Sequence, residues 1–162
     1  GITDDPATRR EARLSLALLG ANYSPGDTDL SWARITLWRS LIAALLEIEE
    51  SPLESIDVEG AQDRPSMHLL AGWITSRVGV PVRFHDSGGI HITRVDLTFA
   101  SGRVRISRPL DSAAATISRA GRPDQRMNLP PRTTTDCLME ELRRLDADEV
   151  YADALQHAVA AL

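Results

Sequence analysis

Two histidines, His85 and His91, flank the turn Asp86-Ser87-Gly88-Gly89. If the chain reverses there as a hairpin, the imidazoles face one another. With Asp86 they offer three ligands to a divalent metal. The competing reading is a wet hairpin tip where polar side chains gather. Without a fourth ligand that second reading is preferred, and no metal is expected. A second constellation is Gly60-Ala61-Gln62-Asp63-Arg64-Pro65-Ser66. It joins the C-terminal end of an expected strand to the N-terminus of an expected helix. Free backbone N–H groups and the helix dipole attract anions at such a junction. Gly60, Asp63, Arg64 and Ser66 are the candidate residues for a sugar phosphate or a nucleotide. An ordinary connecting loop is the favoured alternative.

Other chemistry is excluded more firmly. All 18 basic residues are arginine. A phosphate-loop lysine, a kinase-type strand lysine and a Schiff base are therefore ruled out. The sequence contains no G-x-S-x-G elbow, no G-x-G-x-x-G turn, no H-E-x-x-H and no C-x-x-C. The reading is of a protein that is not an enzyme and carries no cofactor.

Two stretches suggest binding instead. Arg94, Arg103, Arg105, Arg108, Arg119, Arg122 and Arg126 crowd the segment after residue 90, against Asp96, Asp111 and Asp124. Arg103 and Arg105 alternate with Val104 and Ile106, which puts both arginines on the non-core side of a strand. That side either meets an acidic surface or a phosphate, or is simply solvated; the solvated face is favoured. In the segment 30–48, Ile35, Leu37, Trp38, Leu41, Ile42, Leu45, Leu46 and Ile48 share one arc at helical pitch. Arg34 falls inside that arc, so it needs a carboxylate or carbonyl partner, with Asp27 and Asp29 close in sequence. Trp32 falls beside Arg39 on the polar side. It is either an interface anchor or a tryptophan folded under a neighbouring loop. Trp32, Arg34, Trp38 and Arg39 are the residues expected to build or support a partner-binding surface.

The elements that must position these residues follow from period and punctuation. Asp5 to Leu19 reads as an amphipathic helix with Leu14, Ala17 and Leu18 at helical spacing. Asp27, Thr28 and Asp29 are three possible N-caps for a helix over 30–48. Ser55–Glu59 and Val80–His85 read as strands on either side of a helix from Pro65 to Gly79, so they form a βαβ unit and pair in parallel. Four strands follow: Ile90–Phe99, Arg103–Ser107, Ala113–Ser118 and Arg126–Leu129. They form an antiparallel meander. The apolar phase slips near Thr93-Arg94, which predicts a β-bulge there. Two helices close the chain. Leu138, Leu142 and Leu145 are expected inward on the first, and an Asp146/Glu149 capping box starts the second.

The fold class is therefore α/β: a mixed sheet with one βαβ unit followed by an antiparallel meander, helices packed mainly on one face. Residues 1–162 are read as one domain, with a helical segment 1–50, the βαβ and meander segment 51–130 and closing helices 131–162. The chain length and 43% hydrophobic content suit one core. A net charge of −5 argues against a general nucleic-acid binder. No apolar run is long enough to cross a bilayer and no signal peptide is visible. The single cysteine, Cys137, excludes an internal disulfide, and a cytoplasmic location is expected.

The string Tyr23-Ser24-Pro25-Gly26-Asp27-Thr28-Asp29-Leu30-Ser31-Trp32-Ala33-Arg34-Ile35-Thr36-Leu37-Trp38-Arg39 resembles a hallmark stretch of the OpcA family. These are the glucose-6-phosphate dehydrogenase assembly proteins of actinobacteria. Gly121–Arg126, Leu129–Arg132, Glu140–Asp146 and Val150-Tyr151 are similar to that family's C-terminal region. The resemblance implies a non-catalytic assembly factor or allosteric activator of glucose-6-phosphate dehydrogenase in the oxidative pentose phosphate pathway. It also implies that an N-terminal domain of the full-length protein is absent from these residues.

Overall fold

The structure, a computed structural model, describes residues 10, 13–14, 16–18, 20–21, 30–61, 64–143 and 148–161. In chain order the elements with described bounds are α1 (Leu30–Arg34), α2 (Thr36–Ile48), β1 (Leu53–Gly60), α3 (Pro65–Val78) and β2 (Val82–Asp86). They continue with β3 (Arg94–Phe99), β4 (Gly102–Ser107), β5 (Ala114–Arg119), β6 (Gln125–Asn128), α4 (Thr134–Glu141) and α5 (Glu149–Ala160). Two compact units result. One comprises Gly1–Thr36, Gln62–Gly79 and Arg132–Leu162; the other comprises Leu37–Ala61 and Val80–Pro131.

The second unit is built on a six-stranded sheet of order β2-β1-β3-β4-β5-β6. β1 and β2 pair in parallel, as a βαβ connection requires, and every other pair is antiparallel. Strand alternation sorts the side chains. Ile56, Val58, Val95, Leu97, Val104, Ile106, Ala115 and Ile117 are buried on one face. Asp57, Glu59, Arg94, Asp96 and Arg105 alternate with them onto the other. The expected bulge at Thr93-Arg94 is not formed. The strand begins at Arg94, after Thr93 has donated its N–H to Glu59 O at 2.9 Å, so the slip in apolar phase is a strand boundary. The register shift lies elsewhere, between Leu53 and Ser55 opposite the end of β3.

The first unit is helical. Six residues of α3 in succession, Leu69 to Ile74, are buried along with Met67, so the helix is covered on most sides. Gly79 ends α3 in the left-handed conformation (φ 67°), and its N–H reaches Thr75 O at 2.9 Å. Gly72 is where α5 crosses. A β-carbon there would stand 2.2 Å from Ala154 O and 2.7 Å from Ala158 N. Both obstacles are backbone, so the helices must separate to admit it. Gly72→Ala is expected to cost about 2–3 kcal/mol by urea denaturation, despite alanine's better helix propensity. An unchanged midpoint would show that α5 does not pack this closely.

Several expectations are corrected. Helix 30–48 is interrupted at Ile35, whose N–H bonds back three residues to Trp32 O at 3.2 Å. The expected caps Asp27, Thr28 and Asp29 lie outside the described residues, as do Leu145 and Asp146. The cap of α5 is Asp148, which accepts from Tyr151 N. Leu14 and Leu18 point outward while Leu16 is buried. Leu138 and Leu142 also point outward.

Candidate functional site

In the first unit, Trp32 is 1% exposed. Its indole N–H donates to Asp148 Oδ2 at 2.7 Å, and its ring lies 5.5 Å from that of Tyr151 at 47°. The other oxygen of Asp148 accepts from Tyr151 N at 3.0 Å. One carboxylate thus caps α5 and fixes the tryptophan of α1 together. Of the two readings of Trp32, the structure gives the folded-under one.

Arg34 finds the carbonyl partner that its place on an apolar arc demanded. It donates to Arg132 O at 3.1 Å and to Thr134 Oγ1 at 2.8 Å. Arg132 in turn donates to Ala33 O at 3.2 Å and to Asp136 O at 3.1 Å, and pairs with Glu140. Thr36 Oγ1 donates to the other oxygen of Glu140 at 2.8 Å. Thr133 and Asp136 form a reciprocal capping box at the start of α4. That box pulls the Asp136 carboxyl below the usual carboxylate range, through the Thr133 side-chain and backbone hydrogen bonds.

This polar web sets the rotation of α4. At 100° per residue, Thr133, Asp136 and Glu140 take one flank, with Cys137 and Glu141 buried beside them. The remaining arc is Leu138, Met139 and Leu142. They stand 49%, 48% and 66% exposed. Three large apolar side chains on one helical face form a ridge that an isolated soluble domain has reason to avoid. Cys137 beneath it is fully buried, and burial raises its thiol pKa, so it is an inert packing group.

Trp38 and Arg39 belong to the second unit, on α2. Trp38 is buried beneath Arg108, whose guanidinium lies 5.3 Å from the ring centroid. Arg39 is half-buried. Gly60 ends β1, and its carbonyl accepts from Ser87 N at 3.0 Å. Arg64 is the exposed N-cap residue of α3, without a side-chain cap, and Ser66 sits in the first turn. Asp63 lies outside the described residues. Gly60 is in the second unit, while Arg64 and Ser66 are in the first.

Part of the arginine-rich segment is neutralised. Arg105 holds Asp96 through two bonds of 2.7 and 2.9 Å, and Arg94 reaches Glu59 at 2.8 Å. Arg119 pairs with Glu49. Arg108 is buried and donates to Leu129 O and Ile92 O at 2.9 and 3.0 Å, so it belongs to no exposed face. His85 joins no metal cluster among the described residues. Its Nε2 lies 2.8 Å from Asp57 Oδ1, and Arg83 grips the same carboxylate at 3.0 Å twice. Those contacts, the Arg83 hydrogen bond first, hold the Asp57 pKa below its ordinary value. A depressed carboxylate stabilises the fold above its unfolded pKa and loses that contribution as pH falls through the folded value. Asp57→Asn should therefore be less stable than wild type at neutral pH, with the gap closing below about pH 4. Urea midpoints across that range check it; a gap that stays constant would contradict it.

A sequence model of the OpcA type, described as the C-terminal domain of a glucose-6-phosphate dehydrogenase subunit, matches residues 25–155. The chain belongs to the OpcA family. The match takes in every described element bound from α1 to β6, α4 and most of α5. Comparison with curated proteins found no match. Two solved structures share the fold of this OpcA domain. Both are of KijD10, a 3-ketoreductase from Actinomadura kijaniata, in complex with NADP and TDP-benzene; one is an open conformation. They superpose with a TM-score of 0.53 at 12% and 13% identity. The OpcA domain is covered over 95% of its length and spans 66% and 65% of those chains, just under two thirds. At that identity the likeness is one of fold alone. No helix among the described residues is long and apolar enough to cross a membrane.

Proposed function

We propose that this OpcA-family chain is a non-catalytic assembly factor and allosteric activator of glucose-6-phosphate dehydrogenase, acting in the cytoplasm on the oxidative pentose phosphate pathway. Family membership supports this choice of partner. The observation that carries the contact is the outward ridge of Leu138 and Met139 on α4 with Leu142 at its C-cap. In this reading Trp32 and Arg34 are supporting residues. Trp32 fixes α1 to α5, and Arg34 with Arg132 locks α4 in the rotation that presents the ridge. Trp38 and Arg39 support α2 in the other unit.

Activation without catalysis requires only unequal affinity. If the chain binds the active or assembled state of the dehydrogenase tenfold better than the others, the population shifts tenfold, about 1.4 kcal/mol. By linkage, substrates that favour that state tighten the chain's own binding by the same factor. Calorimetric titration of the chain into the dehydrogenase, with and without glucose 6-phosphate, tests this. Saturable heat with an affinity that changes with substrate is expected. A flat trace under both conditions rejects the proposal.

A further inference from the structure

β6 closes one side of the sheet, and all four of its residues are exposed. Leu129 N bonds to Ala113 O at 2.8 Å, so alternate residues Met127 and Gln125 also turn their backbone groups toward β5. By the same alternation the N–H and C=O groups of Arg126 and Asn128 face outward, unpaired by any strand among the described residues. Side chains alternate with them. Gln125 and Met127 pair with Ile117 and Ala115 and share the apolar side, where Met127 is 37% exposed; Arg126 pairs with Thr116 and takes the polar side.

Beside the start of β6 lies an open cavity of about 160 Å³, lined by Ile48, Ile117, Arg119, Arg122, Pro123 and Gln125. That is room for one aliphatic side chain. Its charges are unequal. Arg119 is neutralised by Glu49, whereas Arg122 and Arg126 have no carboxylate partner among the described residues. The edge therefore presents free backbone groups, an apolar margin on one side and uncompensated guanidinium groups at the mouth and on the other.

We propose that the β6 edge is a docking site for an extended segment of a partner protein in which aliphatic and acidic residues alternate. Such a segment adds a seventh strand by pairing with Arg126 and Asn128. Its aliphatic side chains seat against Ile48, Ile117 and Met127, its carboxylates on the opposite face meet Arg126, and Arg122 at the cavity mouth adds positive charge that attracts the acidic segment. Charge selects this occupant over a second copy of the chain. Pairing two β6 edges brings Arg122 and Arg126 of each copy together, and a charged residue on the edge such as Arg126 keeps edges from self-pairing. The edge carries this binding chemistry whichever protein supplies the segment.

The test uses the full chain and a fluorescein-labelled Val-Glu-Val-Glu-Val peptide, with Val-Lys-Val-Lys-Val as its charge-reversed counterpart. Anisotropy should rise saturably with the acidic peptide only. The Arg126→Glu variant, with an unchanged melting temperature, should weaken binding about tenfold or more. Amide shifts of Arg126 and Asn128 should dominate the peptide-induced changes in the NMR spectrum. Equal binding of both peptides, no binding of either, or shifts centred elsewhere would overturn the proposal. So would light scattering that shows a dimer lost in Arg126→Glu, which would assign the edge to a second copy.

Discussion

Trp32→Ala is expected to lower the unfolding free energy by about 3–5 kcal/mol, a large share of what a domain of this size possesses. The residue has no exposure to lose, so truncation leaves a cavity between α1 and α5. It also removes the Tyr151 ring contact and leaves Asp148 Oδ2 without its indole donor. Trp32→Phe separates these contributions. It keeps most of the apolar volume and loses the hydrogen bond to a carboxylate, for a cost of about 1.5–3 kcal/mol. Urea denaturation followed by circular dichroism measures both. If Trp32→Ala costs less than about 1 kcal/mol, the side chain is not the link between α1 and α5 described above.

The second large effect concerns binding and leaves the fold intact. Leu138→Asp with Leu142→Asp should weaken association with glucose-6-phosphate dehydrogenase about a hundredfold or more, since central apolar anchors are each worth about 2 kcal/mol or more. Both side chains already face water, at 49% and 66% exposure, so their replacement removes little buried surface. The melting temperature should hold or rise slightly. Arg34→Met is the complementary variant. It leaves the ridge chemically whole but removes the bonds to Arg132 O and Thr134 Oγ1 that orient α4. Weaker binding is expected from it as well, through a looser helix. Calorimetry checks both variants. Full affinity in the double aspartate variant would move the contact away from α4.

The sheet was legible because β-branched and apolar residues at Ile56, Val58, Val95, Leu97, Val104 and Ile106 alternate with charges, and a period of two admits one assignment of faces. The parallel pair followed from the intervening helix, and its stop from Gly79. What period could not give was the rotation of the outer helices. On α4 the leucines at positions 138 and 142 have the spacing of a buried stripe, and pattern alone turns them inward. The polar bonds of Arg34, Arg132 and Thr36 outweigh that tendency, and those from Arg34 to Arg132 O, from Arg132 to Ala33 O and from Thr36 to Glu140 reach across roughly a hundred residues of sequence. Arg34 itself carried the usable signal: a cation on an apolar arc demanded a partner, and the partner proved to be the segment that orients α4. Trp32 carried a weaker one. Its anchor-like neighbourhood with Arg39 was real in sequence, but Asp148, 116 positions away, draws the indole inside. Arg94 and Arg119 looked like part of one basic face because their counter-charges, Glu59 on β1 and Glu49 just after α2, come from earlier in the chain.

The proposal that this chain engages glucose-6-phosphate dehydrogenase is tested most directly by mixing the two purified proteins. Size-exclusion chromatography with light scattering gives the mass of each peak, and NADP reduction is assayed across the same fractions. The expected result is a joint peak, heavier than the dehydrogenase alone, with higher specific activity. Separate peaks with unchanged activity would contradict it.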